Sequence, residues 1–234
     1  MLNGLTVFWQ NFCALLEEFW PLLVESTGQT LYMVLVSTAI AYILGLPLGI
    51  LVVITGENSI CPNKFINTIL GWIVNIGRSI PFIILLVALL PFTRMVVGTS
   101  IGPTATIVPL TVAATPFVAR MVEQSLVEIE GGLVEMAQAM GATVWQVIFK
   151  VLLPESLPSM IRGFSITFIS LIGYSAMAGA VGGGGLGDLA IRYGYYRYQS
   201  DVMILTIILL VIIVQLIQML GDVISRRVDK RNIR

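Results

Sequence analysis

The sequence predicts an all-α membrane protein with five transmembrane helices per chain, N-terminus outside and C-terminus inside. Charged residues make up 11% of its 234 positions and hydrophobic ones 57%, whereas a soluble domain carries about 25% charged residues. The few charges are spaced to leave long neutral runs. Glu25 and Glu57 bracket 31 uncharged residues, Arg94 and Arg120 bracket 25, Arg162 and Asp188 bracket 25, and Asp201 and Asp222 bracket 20. Each run meets the length of about 20 apolar residues that a helix needs to cross the hydrocarbon core. A fifth run, 29 residues between Lys64 and Arg94, is interrupted only by Arg78.

Taken in order, residues 5 to 23 place Leu5, Phe8, Trp9, Phe12, Leu15, Leu16, Phe19, Trp20 and Leu23 at helical spacing, with Gln10, Glu17 and Glu18 on other faces. This reads either as a helix lying at the outer membrane surface, its Trp residues at the interface, or as a leader without a role. Residues 1–27 are accordingly separated from a transmembrane domain at 28–225 and a basic tail at 226–234. Span 1 is expected at Thr30 to Ile54, span 2 at Phe65 to Phe92, span 3 at Ala105 to Ala119, span 4 at Gly163 to Ala180 and span 5 at Val202 to Leu220. Prolines 47, 81, 109 and 116 fall inside these spans, where neighbouring helices can satisfy the backbone groups that each Pro frees. Nothing at the N-terminus reads as a cleaved signal peptide.

The positive-inside rule sets the orientation. With the N-terminus outside, nine basic residues lie inside: Lys64, Arg120, Lys150, Arg162, Arg226, Arg227, Lys230, Arg231 and Arg234. Three lie outside, Arg94, Arg192 and Arg197, with Arg78 within a span. Cys13 and Cys61 then fall on opposite sides of the membrane, which argues against a disulfide between them. The net charge is zero and no basic patch points to nucleic acid.

This topology makes residues 123–155 cytoplasmic. Within them, Glu135 to Gly141 forms a short helix with an apolar face of Leu133, Met136, Ala137 and Met140, stopped by Gly141. Thr143 and Gln146 match a capping box that starts a second helix bearing Trp145, Ile148 and Phe149, which Leu153 and Pro154 end. Exposed apolar residues on such a hairpin need a partner surface, either a second protein or the membrane itself.

Other features are absent. No Gly-x4-Gly-Lys-Ser/Thr occurs, and the run Gly182-Gly183-Gly184-Gly185-Leu186-Gly187 has no Lys after it, so the chain has no phosphate cradle of its own. The spans hold no Asp, Glu or His, the residues from which proton and many sodium couplings are built. No catalytic or metal-ligating constellation is read in the sequence, and no cofactor is expected in this chain.

Arg78 is the one ionisable group deep in a span, where a charge costs at least ~2.5 kcal/mol and must face protein or water. Two readings stand: it satisfies carbonyls freed by Pro81, or it contacts a substrate. Span 4 ends in Gly173-Tyr174-Ser175-Ala176-Met177-Ala178-Gly179-Ala180. On a helix continuing from it, Ala176, Ala180 and Gly184 would share one small face, and Ser175, Gly179 and Gly183 another, permitting close approach of another helix, either by ordinary packing or from a symmetry mate, which would bring the two Met177 side chains near the axis. Met177 is the single long flexible side chain in that run, placed either to plug a narrow path or to fill a packing gap. Tyr193, Tyr195, Tyr196 and Tyr198 with Arg192 and Arg197 form an outer loop that serves either as an interfacial belt or as a docking surface.

The spacing Glu135, Ala137, Gly141, then Val151-Leu152-Leu153-Pro154 resembles the EAA loop of ABC importer permeases, Glu-Ala-Ala-x3-Gly-x9-Ile-x-Leu-Pro, with Met136 and Val151 as conservative departures. Asn75 to Leu86, Pro91 to Arg94, Val97 to Gly102 and Gly173 to Met177 are similar to the permease of the methionine importer. The resemblance covers roughly residues 28 to 225. It implies a type I importer permease fold, a bacterial inner-membrane location and a homodimer embedded in lipid. It further implies a cytoplasmic ATPase dimer that uses ATP and Mg, and an external methionine-binding protein. Glu135, Ala137, Gly141, Trp145, Leu153 and Pro154 would couple to the ATPase; Tyr174, Ser175, Met177 and Gly179 would belong to the translocation pathway. A permease for another small solute, or a scaffold that recruits an ATPase, stays open at this point.

Overall fold

The computed structural model describes the backbone of residues 2–57 and 59–229 and the side chains from residue 17 onward within them. Ten α-helices and two π-turns make up the described chain. They are α1 (Leu2–Ile54), α2 (Lys64–Ser79), α3 (Phe82–Ala88), α4 (Leu90–Val97), α5 (Pro103–Val127), α6 (Gly131–Ala139), α7 (Val144–Val147), a π-turn at Ile148–Leu152, α8 (Leu153–Gly179), α9 (Gly185–Leu189), a π-turn at Ala190–Tyr195, and α10 (Ser200–Val228). Four stretches are long and apolar enough to cross a membrane: Glu17–Ile54, Pro103–Val127, Val144–Gly179 and Ser200–Val228. The bent pair α2 and α3 brings the total to five if it counts as one span.

Three elements depart from the sequence expectation. The first is α1, which runs unbroken from Leu2 to Ile54, so no boundary separates a surface helix at 5 to 23 from a span starting at Thr30. At 1.5 Å per residue its length is about 80 Å, far more than the ~30 Å hydrocarbon core. Glu17, Glu18 and Glu25 break the apolar run without breaking the helix, because glutamate is a good helix former.

The second is span 2. Instead of a single helix, α2 and α3 meet at 98°. Ile80 is extended at φ −82°, ψ 121° and Pro81 follows at φ −57°, ψ 132°. The proline ring disfavours α conformation in the preceding residue, and that local effect ends α2. The third is the expected stop at Leu153-Pro154, where the backbone continues into α8. The Ile148–Leu152 π-turn widens the helix just ahead of Pro154, and Leu153 N–H donates to the Ile148 carbonyl. Pro154, near the start of α8, lacks only a donor, and the wider turn leaves room for its ring.

The core lies between α1, α5 and α8. Met33, Val34, Ala41, Leu110, Ala114, Val118, Phe168 and Leu171 are buried there. Close approach of α1 to α5 depends on Gly45 and Gly49, where a Cβ would lie 2.7 Å from the Thr115 carbonyl oxygen and 2.6 Å from that of Ala119. Small residues at four-residue spacing let two helix backbones meet in this way. Some buried hydroxyls are satisfied within their own helices: Thr38 donates to the Val34 carbonyl at 2.7 Å and Thr206 to that of Val202 at 2.7 Å. Ser225 bridges helices, donating to the Pro158 carbonyl of α8 at 2.9 Å. The outer face of α10 carries Ile204, Ile207, Ile208, Val211, Ile212 and Leu216, all exposed, as a lipid-facing surface requires.

Candidate functional site

The hairpin between α5 and α8 is built as its residues dictate. Helix α6 ends at Ala139, and Gly141 turns the chain at φ +80°. A Cβ at Gly141 would touch nothing within 4 Å, so glycine is needed there for its backbone conformation alone. The Gly141 N–H donates to the Gln138 carbonyl at 2.9 Å and the Ala142 N–H to that of Ala137 at 3.1 Å. The capping box is present: Gln146 N–H donates to Thr143 Oγ1 at 3.4 Å, and Thr143 N–H to Gln146 Oε1 at 2.8 Å.

Burial splits the apolar residues into an anchoring set and a presented set. Ala137, Val147, Ile148 and Leu152 are buried and Leu133 is half-buried, holding the hairpin on the helical core. Met136 (56% exposed), Met140 (81%), Trp145 (69%) and Phe149 (59%) face outward. The single apolar face expected on α6 is therefore two faces, with Leu133 and Ala137 inward and Met136 and Met140 outward. The rings of Trp145 and Phe149 stack with centroids 5.8 Å apart. Glu135 is exposed beside Met136, Leu153 is half-buried and Pro154 exposed. An exposed apolar patch of two flexible methionines and two stacked aromatics, edged by one carboxylate, has the composition of a protein-docking surface.

The residues grouped as a translocation pathway do not share one surface. Met177 is 43% exposed. Tyr174 is half-buried and stacks on Phe82, ring centroids 4.7 Å apart and planes within 5°. Ser175 is buried, and its hydroxyl donates to the Ile172 carbonyl at 2.8 Å. Gly179 is buried too, and a Cβ there would overlap the backbone of Gly187 and Asp188. Ser175 and Gly179 thus serve packing within the chain. Because α8 stops at Gly179, the small faces expected to continue through Ala180, Gly183 and Gly184 do not form on one helix.

Arg78 is exposed, and among the described residues it makes no hydrogen bond or ion pair. The carbonyl-satisfying reading is corrected accordingly: α2 simply ends one residue later, and its last carbonyls are not reached by the guanidinium. Phe82 was missed by sequence reasoning. Its signal was Pro81, which turns α3 inward and brings Phe82 onto α8.

The loop after α9 is anchored on the side facing the helices. Arg192 pairs with Asp188 at 3.0 Å, Arg197 lies 4.4 Å from the Tyr193 ring centroid, and Tyr193 meets Phe19 edge-on at 5.7 Å. Tyr195, Tyr196 and Tyr198 are exposed, the last at φ +57°. No cluster of His, Cys, Asp or Glu able to hold a metal occurs among the described residues.

Comparison with known proteins agrees with this geometry. The chain is 53% identical over 210 residues to the probable D-methionine transport system permease protein MetI of Vibrio cholerae, covering 90% of this chain and 93% of that one. It is 45% identical over 216 residues to the methionine import system permease protein MetP of Bacillus subtilis, covering 92% and 96%. Among solved structures, an inward-facing form of the MetNI methionine ABC transporter superposes with a TM-score of 0.90 at 52% identity, covering 92% of this chain and 99% of that one. An amino acid ABC transporter at 19% identity shares the fold alone, with a TM-score of 0.76 over 92% of this chain and 98% of that one. The family model described as "binding-protein-dependent transport system inner membrane component" matches residues 42–234, and the chain, a multi-pass inner-membrane protein, belongs to that family.

Proposed function

We propose that this chain is the permease subunit of an ATP-driven methionine importer, working as a homodimer with its N-terminus outside and its C-terminus inside. The observation that carries the reading is the hairpin 131–154: an outward patch of Met136, Met140, Trp145 and Phe149 on a frame whose Gly141 turn has the spacing of a coupling loop. The substrate follows from the relatives, three of which are named for methionine or D-methionine transport at 45–54% identity over nine-tenths of the chain.

In this mechanism the ATPase dimer holds ATP and Mg, and this chain contributes no residue to hydrolysis. The ATPase moves the hairpin. Ala137, Val147, Ile148 and Leu152 tie that hairpin to the core, and the backbone runs on through the π-turn into α8 without a flexible linker. Displacement of the docked surface is therefore transmitted along a helix to Tyr174 and Met177, some 20 to 25 residues and about 30 to 38 Å away. Met177, exposed at the far end of α8, gates the path by rotamer change, and Phe82 stacked on Tyr174 supports it from α3. An external binding protein delivers the solute at the outer loops.

The test is reconstitution of the permease with its ATPase and binding protein in proteoliposomes. ATP-dependent accumulation of labelled L- or D-methionine, competed by unlabelled methionine and not by other amino acids, is the expected outcome. Accumulation of a different solute would reassign the substrate. ATPase recruitment with no accumulation of any amino acid would leave only the scaffold reading.

A further inference from the structure

The run Gly182-Gly183-Gly184-Gly185 has no counterpart in the coupling mechanism, yet hydrogen bonds from two other helices hold it. Gly182, Gly184 and Gly185 adopt φ +80°, +79° and +77°, a conformation that L side chains rarely adopt. The chain thereby reverses at the end of α8 and lays α9 back along it. Contact is backbone to backbone: a Cβ at Gly187 would overlap the backbone of Ala176, next to Met177, just as one at Gly179 would overlap Gly187 and Asp188.

So sharp a reversal leaves buried peptide groups without helical partners, and an unpaired buried N–H is costly. Side chains and backbone from two other helices supply them. From α1, Gln29 Oε1 accepts from the Gly185 N–H at 2.8 Å and Thr30 Oγ1 from the Leu186 N–H at 2.9 Å. At the start of α5, the Gly102 N–H donates to the Gly182 carbonyl at 2.9 Å, and the Thr106 hydroxyl lies 3.3 Å from that of Gly183. Thr30, Leu186 and Thr106 are all buried, which shields the Thr30 and Thr106 bonds from water, while Gln29 is half-buried. Such bonds fix position as well as energy.

We propose that Gln29 and Thr30 are positioning residues for the gate: by clasping the glycine turn they set where the last turn of α8, and Met177 with it, stands relative to α1 and α5. The inference rests on the gate reading of Met177 given above. It assigns a role to the α1 side chains, which the resemblance to importer permeases left without one. Sliding of α8 during transport must either carry this turn with α1 and α5 as one body or break the four contacts. Two positive-φ glycines on the α9 side and one on the α8 side leave the turn no regular helix to relax into, so the first course is taken.

The test uses the assembled transporter in proteoliposomes. Thr30→Val removes the acceptor at nearly constant volume; Thr30→Ser restores it. Thr38→Val deletes another buried hydroxyl of α1 whose only bond lies within its own helix, and reports generic damage. Hydrogen–deuterium exchange of residues 174–181 and efflux of labelled methionine from the resting complex are measured together, with Met177→Ala alongside. Thr30→Val is expected to speed exchange across 174–181 and raise resting efflux several-fold, with Thr30→Ser close to the parent and Thr38→Val moving neither. Exchange at 174–181 equal to the parent overturns the inference, as does raised efflux in Thr38→Val to the same extent. If Met177→Ala does not leak, the gate reading fails by itself, and the exchange measurement alone decides whether the clasp positions the helix end. Gln29→Leu replaces Thr30→Val if that variant does not assemble.

Discussion

The pair Gly45 and Gly49 gives the sharpest quantitative test of how α1 and α5 are held. A methyl group at Gly45 would sit 2.7 Å from the Thr115 carbonyl oxygen and 2.8 Å from Val118 Cβ; at Gly49 it would sit 2.6 Å from the Ala119 oxygen and 2.8 Å from Val122 Cβ. Ordinary contact begins near 3.4 Å, so the double substitution to Ala forces the helices apart by about 0.6 to 0.8 Å. The obstructing atoms are backbone carbonyls and Cβ atoms of β-branched residues, which cannot swing away. Overpacking of this kind costs about 1 to 3 kcal/mol per site, and the upper half of that range applies here. Replacing glycine in a helix returns about 1 kcal/mol per site. The two sites share one displacement, so their costs are less than additive, and a net loss of about 2 to 3 kcal/mol is expected. For a chain of this size that lowers the melting temperature by about 4 to 12 °C. Gly28→Ala in the same helix is the control, since its Cβ would meet nothing within 4 Å; it should raise the melting temperature by about 2 to 4 °C. Thermal unfolding of the purified permease in detergent reads both. A double variant that melts at or above the parent would show that the α1–α5 interface does not depend on glycine.

Three further outcomes are expected. Gly141→Val places a β-branched side chain at φ +80°, a strain of about 1 to 3 kcal/mol; insertion should be normal while methionine uptake and transport-linked ATP hydrolysis fall at least tenfold, and unchanged uptake would remove the hairpin from the coupling role. With Cys13 replaced, the exposed native Cys61 should be shielded from an impermeant thiol reagent in intact cells, whereas Gln199→Cys in a chain without native cysteines should react; the opposite labelling would invert the topology. Met177→Ala should raise methionine efflux through the resting complex with ATP hydrolysis retained, and a variant that stays tight but melts at a lower temperature would return Met177 to packing.

What local chemistry fixes was legible in the residues alone. Spans were marked by charge-free runs, because an unpaired charge in hydrocarbon is expensive wherever the helix lies. The Gly141 turn and the Thr143–Gln146 capping box were readable since their bonds join residues no more than five apart. The spacing from Glu135 to Pro154 carried the family. Geometry set by partners distant in sequence was not legible. Pro81 announced a disturbance, but the 98° bend that puts Phe82 on Tyr174 is measured only against α8. Leu153-Pro154 looked like a stop because nothing in the sequence marks the π-turn ahead of it. The small residues after Met177 looked like a free face because their occupant, α9, is reached only through a reversal held by Gln29 and Thr30, more than 150 positions earlier. Sequence patterns report energies that a residue and its near neighbours determine between them; where a buried peptide group finds its partner across the bundle, only the assembled fold decides.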